Sequence, residues 1–70
     1  MKRLSFLVNR GENDCFMVHG LEWATYVEGV DWMEIFQALH KHIFQEFAAE
    51  ERPSYLDFCF PDGRIISMSA

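Results

Sequence analysis

Positive charge is scarce in this chain. Six Lys and Arg stand against eleven Asp and Glu, for a formal net charge of −5, a balance that opposes the phosphate neutralisation behind most nucleic-acid affinity. The composition therefore argues against direct DNA or RNA binding. Cysteine is sparse too: Cys15 and Cys59 are the only two, they can close at most one disulfide, and no secretory signal precedes them. They read as reduced, buried apolar thiols of a cytoplasmic protein. No apolar run approaches the ~18 residues that a membrane span needs. The opening Met1-Lys2-Arg3-Leu4-Ser5-Phe6-Leu7-Val8 is broken by Asn9-Arg10-Gly11-Glu12 too soon for a signal peptide. Neither a membrane nor a leader is expected.

What the chain does have is apolar and aromatic bulk. Half of its 70 residues are hydrophobic and 16% are aromatic, far from the composition of a disordered segment. We expect a single small domain over residues 1–70, without linker, repeat or low-complexity segment. In so short a chain, burial at ~25 cal/mol per Å² roughly cancels an ordering cost of about 1.5 kcal/mol per residue, so self-association is expected to help, as a homodimer.

Hydrophobic periodicity divides the chain. Leu4, Phe6 and Val8 alternate with Ser5, Leu7 and Asn9, and the polar stretch Asn9-Arg10-Gly11-Glu12-Asn13-Asp14 follows, which reads as a strand entering a hairpin. Cys15-Phe16-Met17-Val18-His19 is the return strand, stopped at Gly20, and Trp23-Ala24-Thr25-Tyr26-Val27-Glu28 is a third, ending at Gly29. From Asp31 the period changes. Trp32, Ile35, Phe36, Leu39, Ile43 and Phe47 recur at three- and four-residue steps, the mark of one amphipathic helix. Asp31 with Glu34 three residues on forms a capping-box-like start. The helix is expected to fade near Glu50-Glu51-Arg52, before Pro53. Tyr55-Leu56-Asp57-Phe58-Cys59-Phe60 alternates again, Pro61-Asp62-Gly63 is turn chemistry, and 64–69 supplies a final strand. The predicted class is α+β: a three-stranded antiparallel meander, one helix on one sheet face, and a C-terminal strand or hairpin, β-β-β-α-β-β.

Candidate chemistry is thin. His40 and His42 sit about 200° apart on a helix and cannot share one ion, so no metal and no cofactor is expected. Cys15 or Cys59 with His19 would need an orienting group and an oxyanion site to act as a nucleophile, and a sheet with one helix offers little cleft. A non-enzyme is predicted. One helix covers one sheet face, which leaves the other to water, a second copy or a partner. Glu12, Asp14, Glu22 and Glu28, gathered by the meander, are the candidate charges for a basic protein partner, and Trp23 and Tyr26 the candidate contact area, with Trp23 as the exposed anchor.

The run Trp23-Ala24-Thr25-Tyr26-Val27-Glu28-Gly29 leading into Asp31-Trp32-Met33-Glu34-Ile35-Phe36-Gln37-Ala38-Leu39, within Leu4 to Phe47, resembles the small N-terminal domain of HicB-family antitoxins. That family usually has Pro-Gly before the third strand, where this chain has Glu22-Trp23. It also typically carries a C-terminal DNA-binding module, which nothing after Pro53 resembles. The resemblance implies stoichiometric blockade of a small ribonuclease. The alternatives are a phage-type anti-defence inhibitor, such as an anti-CRISPR protein, and a structural module whose sheet dimerises.

Overall fold

The structure is a computed structural model and describes residues 3–70; Met1 and Lys2, the head of the segment weighed above as a leader, lie outside the described residues. Five strands form one sheet: β1 (Arg3–Arg10), β2 (Phe16–Gly20), β3 (Tyr26–Gly29), β4 (Tyr55–Cys59) and β5 (Ile65–Ser69), with one helix, α1 (Trp32–Glu46), between β3 and β4. The class is α+β with a five-stranded mixed sheet in the order β3-β2-β1-β4-β5.

The meander β1-β2-β3 pairs antiparallel throughout, as does the hairpin β4-β5. What joins them is a parallel pairing of β1 with β4, Leu4 beside Leu56 and Phe6 beside Phe58. The β4-β5 turn closes through Gly63 N–H to the Phe60 carbonyl and Phe60 N–H to the Arg64 carbonyl. Gly63 there has φ +93°, a conformation that costs glycine least.

Side chains alternate across each strand, and one set meets the helix. Phe6, Val8, Val18, Val27, Leu56 and Phe58 from the sheet close over Ile35, Leu39 and Ile43 from α1. Those three helix positions, four residues apart, are one stripe of a 3.6-residue period. At about 1.5–3 kcal/mol for each large side chain fully removed from water, this layer is the main stabilising term. Phe58 lies at its centre, its ring 5.4 Å from that of Phe6 and 5.5 Å from that of Trp32.

Both ends of α1 have local causes. Asp31 accepts from Glu34 N–H at 2.9 Å, and the Glu34 carboxylate takes the N–H of Val30 at 2.9 Å, so the cap is reciprocal. The helix stops at Glu46, four residues or more before the predicted end. Phe47 leaves helical geometry at φ −119°, ψ 135°, and its ring meets Trp23 edge-on at 5.0 Å. A short 3₁₀ turn, Ala49–Glu51, then carries the chain to Pro53. Among the described residues no helix is long and apolar enough to cross a membrane.

Candidate protein-interaction site

The odd-numbered residues of β1, β4 and β5 and their register partners on β2 and β3 make up the face that no helix covers. Across its middle, register aligns Tyr26, His19, Leu7, Cys59 and Ile65 in one row through all five strands. Leu7, Tyr26, Tyr55 and Ile65 are exposed there. The His19 and Tyr26 rings lie 4.7 Å apart, and the Tyr26 hydroxyl donates to the Glu28 carboxylate. That bond raises the Tyr26 pKa above the ordinary phenol value because it is lost when the hydroxyl ionises beside a carboxylate.

The β3 side of this face ends in an acidic corner. Glu28 and Glu12 border one shallow depression with Gly11, Cys15 and Met17. Asp14, in the same Glu12–Asp14 turn, lies 3.9 Å from Arg10, and Asp31 and Glu34 follow at the start of α1. The β4-β5 side is balanced instead. Arg3 donates to both Asp57 oxygens at 3.0 Å, Ser67 donates to Asp57 at 2.6 Å, and Arg64 holds Asp62 at 2.8 Å. The Arg3 and Ser67 hydrogen bonds hold the Asp57 carboxyl below its ordinary range. The Arg64 amide does the same for Asp62. The acids within β4 and the β4-β5 turn are thus each paired with an arginine, Asp57 with Arg3 and Asp62 with Arg64.

The structure separates the six residues singled out from sequence. Glu12, Asp14, Tyr26 and Glu28 stand at the β3 corner. Glu22 does not join them: it sits beyond the opposite end of β2, where its carboxylate accepts from Ser5 N–H at 2.7 Å and Leu21 N–H donates to the Ser5 carbonyl. Trp23 is not in a strand and is not the exposed anchor. It lies in the 21–25 loop, partly buried against the core on Phe47.

His42 Nδ1 lies 3.0 Å from Thr25 Oγ1, which fastens α1 to the same loop; both His40 and His42 are partly buried. Cys15 and Cys59 are free and partly exposed, and Cys59 is separated from His19 by the width of β1. Among the described residues no group of three or more His, Cys, Asp or Glu is placed to hold a metal.

Sequence reasoning missed an apolar opening on the helix side of the sheet. Ile66 and Met68 of β5 point to the helix side, but α1 lies over the β3 half of the sheet. An open groove of about 260 Å³ is left, lined by Trp32, Phe36, Phe58, Phe60, Ile66 and Met68. The available signal was the excess of large apolar residues over what one helix can cover. No protein-family model matches the chain, and comparison with curated proteins and with solved structures gave no significant match.

Proposed function

We propose that the protein works by stoichiometric binding to another protein, as a small acidic inhibitor of antitoxin type that covers a basic, nuclease-like surface. The observation that carries this reading is the uncovered sheet face with its acidic corner, where Leu7 and Tyr26 stand exposed beside Glu28, Glu12 and Asp14. Charge complementarity speeds encounter and fixes orientation, while rings in the centre of the contact supply buried area. Glu22 and Trp23 serve this surface indirectly, by fastening the 21–25 loop that leads into β3. The antitoxin assignment itself rests on the resemblance of residues 4–47 to the HicB-family domain.

The test is affinity capture from the native host's lysate at low salt, with wild type against a Tyr26→Ala, Glu28→Lys double variant. A basic protein retained by the wild type, released by salt and lost with the variant supports the reading and names the target. Equal capture by both proteins, or no salt-sensitive capture, removes it.

A further inference from the structure

The two free edges of the sheet are built differently. In an antiparallel ladder, alternate residues turn their N–H and C=O toward the neighbouring strand and the rest turn them away. Phe60 N–H bonds the Arg64 carbonyl and Ala70 N–H bonds the Ser54 carbonyl, so Ile66 and Met68, in phase with Arg64 and Ala70, face β4. Ile65, Ser67 and Ser69 then present their backbone groups to the open side of β5. By the same count from Gly20 N–H to the Thr25 carbonyl, β3 turns outward at Tyr26 and Glu28.

Beyond Glu28, the next outward amide, Val30, is already taken by Glu34 at 2.9 Å. The β3 edge is short, carries an acid and is capped, the usual devices against edge-to-edge pairing. From Ile65 to Ser69 the β5 edge has no charge and no proline, and every residue in it is exposed.

We propose that β5 pairs with β5 of a second copy, antiparallel about a two-fold axis at Ser67, to make a continuous ten-stranded sheet. Three features favour a second copy as the occupant. The strand is self-complementary in this register: Ser67 meets Ser67, Ile65 meets Ser69, and Ile66 meets Met68 on the helix side. The outward backbone groups close roughly six hydrogen bonds, two for each facing pair.

Second, the pairing joins the two grooves, so that Ile66 and Met68 of each copy cover one another between the two Trp32-Phe36 walls. Third, two copies that each carry −5 repel one another least where charge is balanced. The β5 side, with Arg3 on Asp57 and Arg64 on Asp62, is that place. The acidic corners then point away from the axis, at opposite ends of the dimer.

The experiment is sedimentation across a concentration series, with residue-resolved amide exchange on the same samples. The proposal expects a dimer in which the Ile65, Ser67 and Ser69 amides exchange roughly tenfold or more slowly than in dilute monomer, while Ile66 and Met68 are protected in both. Ser67→Pro removes one outward N–H without touching the β4 ladder and should give a folded monomer. Ser67→Ala keeps that N–H and should remain dimeric, which separates edge pairing from loss of the Ser67–Asp57 bond. Ile65→Lys, which keeps the backbone intact, should also be monomeric. A wild-type monomer at every concentration overturns the proposal. So does a dimer in which those three amides stay unprotected, or one that survives both Ser67→Pro and Ile65→Lys.

Discussion

Replacing Gly20 by alanine puts a methyl carbon inside van der Waals contact with the backbone carbonyl oxygen of Trp23, with Thr25 Cγ2 at 3.0 Å and Trp23 C at 3.2 Å. The obstacle is backbone, so no rotamer change relieves it. The 21–25 loop must swing away, and it is closed by the 2.9 Å bond from Gly20 N–H to the Thr25 carbonyl. Forced overpacking costs about 1–3 kcal/mol and the strained or lost hydrogen bond about 0.5–1.5 kcal/mol more. The total, roughly 2–4 kcal/mol, is a large part of the ~4–10 kcal/mol that 70 residues at 0.05–0.15 kcal/mol each provide. The midpoint of thermal unfolding should fall by about 10 °C or more, at ~4–8 °C per kcal/mol for a domain of this size. Urea unfolding followed by fluorescence of Trp23 and Trp32, with far-ultraviolet circular dichroism in parallel, measures it. A Gly20→Ala protein within about 0.5 kcal/mol of wild type, the ordinary range for an unobstructed surface change, would show that the 21–25 loop yields to the methyl group without cost.

Gly63→Ala is the matched control: nothing lies within 4 Å of the new carbon, but φ is +93°, so only backbone strain of about 1–2 kcal/mol should appear in the same urea assay. Asp31→Ala removes the side chain that accepts from Glu34 N–H and should cost about 0.5–2 kcal/mol, read by thermal unfolding. Asp57 has a depressed pKa in the folded state, so its contribution is fully present above the unfolded carboxylate value of about 3.9 and is lost as pH falls through the folded value. Acid titration should show part of wild type's loss of stability in that window missing from Asp57→Asn, which starts less stable at neutral pH.

Local pattern located most of the strands because each signal was local: alternation at Leu4-Phe6-Val8, the period change at Asp31, and the Pro61-Asp62-Gly63 turn. Three features had no local signal. The parallel pairing of β1 with β4 joins residues some fifty positions apart, and alternation says which face a strand buries, not which strand lies beside it. Trp23 belongs to an apolar run that looks like strand, yet Gly20 closes a loop with Thr25 and frees the indole to pack on Phe47. The helix ends at Glu46, where Phe47 turns out of helical geometry and its ring meets Trp23, ahead of the acids that looked like its fading end. Of the six residues that charge and position in the meander singled out, the structure brings Glu12, Asp14, Tyr26 and Glu28 to one corner of the sheet. Glu22 was misplaced because its carboxylate serves the Ser5 amide, a long-range bond that composition cannot show.

Under the proposed function, the β3 corner and not the β5 edge is the surface offered to a foreign protein. The most direct measurement is the affinity of the captured partner for wild type, Tyr26→Ala/Glu28→Lys and Ser67→Pro at two salt concentrations. Tenfold or greater weakening with the first variant, with about 1.4 kcal/mol per tenfold step, together with salt sensitivity and unchanged affinity per protomer with the second, is the predicted result. Full affinity in the corner variant, or loss of the partner with Ser67→Pro alone, would contradict it.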